Sequence, residues 1–176
     1  MHDMILAAAH VTVERAAPET QWLLQCDAAD AGAMAAALGI ALPGGMLTSA
    51  PTGAWSALHL GPDEWLLTQA TDAGGDRGFA GFSAPVPFSL VDISDRSIAF
   101  DVHGPLAATL VAGGCPLDLA VLPVGACTRT LFGKATVLLW HWDGGWRISC
   151  ARSFEDYVVA LLRAAAEDLA GETLPG

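Results

Sequence analysis

The order of apolar and polar positions divides this chain into short strands and a few helices. Thr20–Ala28 has strand character, with partial alternation through Gln21-Trp22-Leu23-Leu24-Gln25-Cys26. Asp27 or Asp30 then caps an alanine-rich helix that runs to Leu38 and stops at Gly39. Trp55–Leu60 and Glu64–Gln69 form a candidate hairpin about Gly61-Pro62-Asp63, where proline presets φ and the aspartate bonds nearby backbone. Phe88–Ile93 and Ser97–His103 read as strands flanking Ser94-Asp95-Arg96. Gly104 breaks the second of these. Pro105 then opens a helix to Ala112, because its missing N–H costs nothing at the first helical position, and Gly113-Gly114 close it.

Cys127–Phe132, Thr136–Trp142 and Trp146–Arg152 predict a three-strand meander, with turns at Gly133-Lys134 and Asp143-Gly144-Gly145. The last element is a helix with Ser153 as its N-cap, Glu155 and Asp156 at its positive end, and Gly171 after it. Phe154, Tyr157, Val158, Leu161, Leu162, Ala165 and Leu169 recur at helical spacing and predict its buried face. Thr71–Pro87, rich in Gly, Ala and Pro, is the one plausible linker. The predicted class is α+β: a mainly antiparallel sheet with a few packed helices, in one compact domain covering residues 1–176.

A chain of 176 residues buries about 70% of its unfolded surface on folding. Its hydrophobic fraction of 53% is enough for a core without metals or disulfides, and it raises the question of a membrane. The unbroken apolar runs, Met4–Ala9 and Met34–Leu38, fall far short of the ~20 residues a spanning helix needs. The first six residues hold Asp3 and no Lys or Arg, unlike the basic start of a secretory signal. These features predict a cytoplasmic protein with no membrane partner. A net charge of −11, with Lys134 as the only lysine, argues against nucleic acid. The four cysteines (Cys26, Cys115, Cys127, Cys150) form no C-x-x-C and read as reduced, buried thiols. Cys127 and Cys150 fall in one predicted meander, where adjacent strands would allow a disulfide.

Motifs for chemistry are missing together. No G-x-G-x-x-G opens a βα unit, and Gly133-Lys134 resembles the end of a phosphate loop whose first glycine position is Thr128. There is no G-x-S-x-G and no H-E-x-x-H, and the five histidines do not group with the cysteines. Asp63-Glu64 could be an acid/base pair, but turn chemistry accounts for Asp63. Asp92, Asp95 and Asp101 with His103 could gather around a cation; the competing reading has them bond turn amides and pair with Arg96. His59 and His103 sit near the ends of apolar strands, as satisfied or surface imidazoles. Trp22, Trp55, Trp140, Trp142 and Trp146 could stack on a pterin or flavin, or serve as core and interface anchors. No catalytic, cofactor-binding or metal-binding residue is assigned. The 32 residues Ala31–Pro62 lack Asp, Glu, Lys and Arg. Charge depletion is an interface signature, so this segment is a predicted docking surface with Met34 and Trp55 as contacts. Ordinary burial of an alanine-rich stretch is the alternative.

Four stretches in order carry a family resemblance: Leu60-Gly61-Pro62-Asp63-Glu64-Trp65-Leu66-Leu67; Val91-Asp92-Ile93-Ser94-Asp95-Arg96 running into Val102-His103-Gly104-Pro105; Gly114-Cys115-Pro116-Leu117-Asp118-Leu119; and Arg152-Ser153-Phe154-Glu155-Asp156-Tyr157. Together they resemble the gamma subunit of heterotetrameric sarcosine oxidase. The middle stretch also resembles the glycine-cleavage T-protein and related folate-binding aminomethyltransferases, which implies a fold similar to part of theirs. The resemblance implies a subunit that binds no cofactor itself. FAD, FMN, NAD, tetrahydrofolate and zinc would be held on other chains, and the partners would be larger alpha and beta subunits and a small delta subunit. It implies oxidative demethylation of sarcosine to glycine and hydrogen peroxide, with the methyl carbon passed to tetrahydrofolate or released as formaldehyde. Asp95 stands where the family pattern has a basic residue or His. A stand-alone folate-binding aminomethyltransferase-like protein, with Asp92 or Asp101 holding the pterin, and a plain interaction domain are the alternatives.

Overall fold

The computed structural model describes residues 3–8, 10–71 and 78–170. In chain order the strands are β1 (Asp3–Ala8), β2 (Val11–Arg15), β3 (Glu19–Cys26), β4 (Ser49–Thr52), β5 (Trp55–Gly61), β6 (Glu64–Ala70), β7 (Phe88–Asp92), β8 (Ser97–His103), β9 (Cys127–Phe132), β10 (Ala135–Trp142) and β11 (Gly145–Ala151). The helices are α1 (Ala31–Leu38), α2 (Ala107–Ala112) and α3 (Glu155–Ala170). All strand pairs are antiparallel, so the class is the α+β one expected. Where the pattern predicts one compact unit, the residues group into two: Met1–Ala16 with Arg96–Gly176, and Ala17–Asp95.

The first unit holds a six-stranded sheet in the order β1-β2-β8-β11-β10-β9. Strands β2, β10 and β11 alternate as half-buried strands should, while β8 is buried on both faces. Ile98, Phe100 and Val102 of β8 face the core with Trp146, Ile148 and Cys150 of β11, and α2 and α3 cover them with Leu110, Val111, Val158 and Leu162. The β9–β10 turn is pinned beneath α3: Lys134 N–H donates to the Tyr157 hydroxyl at 2.9 Å. Gly133 sits there at φ 59°, where any side chain would strike Tyr157 and Leu161. Cys127 and Cys150 lie on β9 and β11, which flank β10 on opposite sides, so the two thiols are not on adjacent strands.

The second unit is a five-stranded sheet in the order β4-β5-β6-β3-β7. Trp22, Leu24, Cys26, Ala57, Trp65 and Leu67 line one face. Over it lie α1, which brings Met34, and the segment after residue 78, which brings Phe79 and Phe82. Part of the predicted linker, residues 72–77, lies outside the described residues. The rest packs inside this unit, with Phe79 edge-on to Trp22 at 5.8 Å. The boundaries of the units fall at residues 16/17 and 95/96, so Thr71–Pro87 does not join them.

Local signals misplace some helix ends. Asp27, not Asp30, is the working cap: its carboxylate accepts from Ala29 N–H at 2.8 Å and opens a 3-10 turn that runs into α1. Pro105 precedes α2 by two residues, in the turn after Gly104. Ser153 lies inside the 3-10 turn Arg152–Phe154 that leads into α3, rather than acting as the N-cap of a single helix. On α3 itself Val158, Leu162, Ala165 and Ala166 are buried, whereas Tyr157 on its first turn and Phe154 in the 3-10 turn before it are exposed. The Gly171 stop lies outside the described residues.

Candidate functional site

The acidic residues singled out by spacing do not gather. Asp92 ends β7 and Asp101 is central in β8, in different sheets. Asp92 Oδ1 accepts from the Ser94 N–H at 2.9 Å and from its hydroxyl at 2.6 Å, and Ser94 Oγ in turn accepts from Gln21 N–H at 3.0 Å. That is turn chemistry, as the bland reading has it. Asp101 is only 2% exposed, and both its oxygens are taken by Arg147, with Nε at 2.6 Å and Nη2 at 2.8 Å. Its partner is Arg147, not Arg96. Asp63 is exposed in the β5–β6 turn and Glu64 opens β6. Among the described residues no three His, Cys, Asp or Glu side chains lie close enough to hold a metal ion.

The Arg147 guanidinium lies 5.7 Å from the Trp140 ring and 5.3 Å from Trp142, so these tryptophans flank a cation. His103 Nδ1 is 2.6 Å from the Gly144 carbonyl, and its ring meets Trp142 edge-on. Periodicity held the clue to the Asp101–Arg147 pair. Each residue alternates with inward-facing neighbours (Phe100 and Val102, Trp146 and Ile148), so both project from the opposite face of the same sheet.

His59 differs from the expectation of a satisfied or surface imidazole. It is buried and stacked on Trp65 at 4.5 Å, and neither ring nitrogen has a hydrogen-bond partner among the described residues. Two of the buried thiols, Cys26 and Cys150, are unsuited to nucleophilic work. Burial, with the nearby Asp30, Asp27 and Asp63, pushes Cys26 upward, and burial with Glu155 pushes Cys150 up to about 11.

The charge-free stretch Ala31–Pro62 divides between core and surface. Met34 is 0% exposed, enclosed by Leu24, Cys26 and Trp65, so it is a core residue and offers nothing to a partner. Its place on α1 decides this: the helix turns Met34 onto the sheet and leaves Gly32, Ala33, Ala36 and Ala37 outside. Trp55 is half-buried against Phe79 at 5.0 Å. The outward apolar residues are Met46 and Leu47, on a loop tied to β5 by Leu47 N–H to His59 O at 2.8 Å and His59 N–H to Thr48 O at 2.9 Å. Composition could not tell Met34 from Met46: α1 turns the first onto the sheet, and the second lies on an exposed loop.

Residues 24–168 match the model of the sarcosine oxidase gamma subunit family. The chain belongs to this family. It is 30% identical to the sarcosine oxidase gamma subunit of Corynebacterium sp. strain U-96 over 169 residues, covering 92% of this chain and 82% of that one. It is 29% identical to the gamma subunit from Arthrobacter sp., covering 81% and 72%. The fold superposes on a chain of heterotetrameric sarcosine oxidase from Corynebacterium sp. U-96, solved with pyrrole 2-carboxylate, with a TM-score of 0.82 at 29% identity, covering 97% of this chain and 91% of that chain. It is also similar in fold to aminomethyltransferase T from Bartonella henselae, with a TM-score of 0.57 at 16% identity, covering 93% of this chain and 46% of that longer one. As a sarcosine oxidase gamma subunit the chain is part of an oxidoreductase complex and has other subunits as its partners. No described helix is long and apolar enough to cross a membrane.

Proposed function

We propose that this gamma-subunit chain, acting as one module over residues 1–176, supports assembly of a cytoplasmic, heterotetrameric sarcosine oxidase and has no active site of its own. Its partners are larger alpha and beta subunits and a small delta subunit. FAD, FMN, NAD, tetrahydrofolate and zinc are held on those chains. There sarcosine is oxidised to glycine with release of hydrogen peroxide, and the methyl carbon passes to tetrahydrofolate or leaves as formaldehyde. The observation that carries this reading is the engagement of Asp101, the one buried carboxylate among the described residues, by both donors of Arg147. A carboxylate so held is a poor general base or pterin ligand. The charge-free outer surface of α1 and the Met46–Leu47 loop suits docking on the larger chains, and the half-buried Trp55 belongs to the same charge-free stretch.

Co-expression with the three other subunits tests this, with sarcosine-dependent peroxide and complex composition measured with and without the gamma chain. The expected result is a stable four-chain complex whose assembly falls when this chain is omitted, and no peroxide from this chain alone. Peroxide from the isolated chain above a heat-killed control would overturn the reading. Stoichiometric tetrahydrofolate binding by the isolated chain would favour the stand-alone folate-binding alternative.

A further inference from the structure

Between Gly104 and Thr128 the sequence has a single charged residue, Asp118, and its carboxylate accepts from the Ala120 N–H at 3.1 Å. The apolar residues that follow divide sharply. Leu119 and Leu122 pack into the core of their unit, while Val121 and Val124 point outward, 70% and 61% exposed. These are the most exposed large hydrophobic side chains among the described residues.

They are displayed by a loop that is tied down rather than loose. Val124 sits in the turn Pro123-Val124-Gly125-Ala126, closed by Ala126 N–H to Pro123 O at 3.0 Å. Gly125 takes φ 93°, the positive value that the third position of a type II turn demands. His141 anchors the loop from the sheet at three points. Gly125 N–H donates to its carbonyl at 2.6 Å, its own N–H donates to Ala126 O at 2.8 Å, and its Nδ1 lies 2.8 Å from Leu122 O. The imidazole is fixed in turn by stacking on Trp146 at 4.1 Å and 9°. The exposed residues Ala108, Ala112, Pro116 and Ala120, on α2 and after it in the chain, are uncharged as well.

We propose that this loop is a preformed docking surface whose occupant is an uncharged, apolar face of one of the larger subunits of the same enzyme. The proposal rests on the subunit reading above. Rigid display lowers the ordering entropy that association costs, and charge depletion marks interface cores. The occupant follows from the family: the chain is a subunit of a multi-subunit enzyme, so other chains are there to cover an apolar face, and a net charge of −11 on each copy disfavours self-association.

The test is the affinity of the purified chain for its larger partner subunits. The Val121→Glu/Val124→Glu variant should bind at least about tenfold more weakly, with an unchanged thermal melt because both side chains are exposed. Ala160→Glu/Ala164→Glu, on the exposed side of α3, adds the same charge and should bind like the wild type. If the double glutamate variant fails to fold, Val121→Ser/Val124→Ser is read the same way. Partner binding undiminished by the valine substitutions overturns this proposal alone, as does an equal loss in the α3 control. Self-association that the valine substitutions abolish, with partner binding intact, would make the occupant a second copy and overturn the proposal. Failure of the wild-type chain to bind any partner overturns the subunit reading and this proposal with it.

Discussion

Asp101 on β8 and Arg147 on β11 face each other across the sheet, and the carboxylate takes Nε at 2.6 Å and Nη2 at 2.8 Å in a two-pronged ion pair. The geometry matches the fixed fork of the guanidinium to the two carboxylate oxygens. Both groups are largely shielded from water, so each depends on the other for compensation of its lost hydration.

Asp101→Ala should therefore destabilise, by up to about 3–5 kcal/mol, because it removes the two-pronged carboxylate partner of the Arg147 charge in a shielded site. Replacing both, Asp101→Leu with Arg147→Leu, should cost much less than that single change. Urea denaturation of the two variants checks this; a double variant weaker than Asp101→Ala would show that the pair is itself strongly stabilising.

Leu162 is fully buried on α3, whereas Leu161 is half-buried beside the Gly133 turn. Leu162→Ala should cost about 2–5 kcal/mol through the cavity it leaves, and Leu161→Ala distinctly less. Denaturant melts of the pair would show the order, and equal losses would mean that the helix phase is misread.

Met34→Glu should fail to give a folded chain, since it places a carboxylate among Leu24, Cys26 and Trp65. Met46→Glu, on the exposed loop, should fold normally and weaken partner binding. Circular dichroism and the same binding assay separate the two effects.

His59→Phe should keep the stack on Trp65 and remove two buried nitrogens that have no partner among the described residues. A gain of about 1 kcal/mol is expected, because an unsatisfied buried polar group costs about that much or more. A loss of stability in a chemical melt would mean that the imidazole is satisfied by water.

The Cys150 thiol, raised from 9.0 to about 11 by burial first and by Glu155 second, sets an alkaline limit on stability. In the unfolded chain the thiol ionises near 9.0 and in the fold near 11, so the folded form holds its proton longer. Its contribution is complete below pH 9 and is lost as the pH rises to 11, by at most about 3 kcal/mol. Cys150→Ala should show a flatter stability profile over that window in urea melts at stepped pH.

The sequence by itself determined the local elements. Alternation marked β9, β10 and β11, turn chemistry marked the β5–β6 hairpin, and helical spacing marked α3 with Val158, Leu162 and Ala165 inside. These are short-range properties, set by side-chain direction over a few residues. The missing phosphate loops and nucleophile sets were legible too, and the ordered family stretches pointed to the sarcosine oxidase gamma subunit. What only the tertiary structure decided is which distant strands share a sheet. β2 pairs with β8 across the 81 residues between Arg15 and Ser97, and that pairing creates two units where pattern predicts one. A second long-range pairing, of β8 with β11, gives Asp101 its partner Arg147. Packing then sorts chemically identical residues, with Met34 inside and Met46 outside, Leu122 inside and Val124 outside. Burial depends on what the rest of the chain brings against each side chain, and no local pattern contains that information.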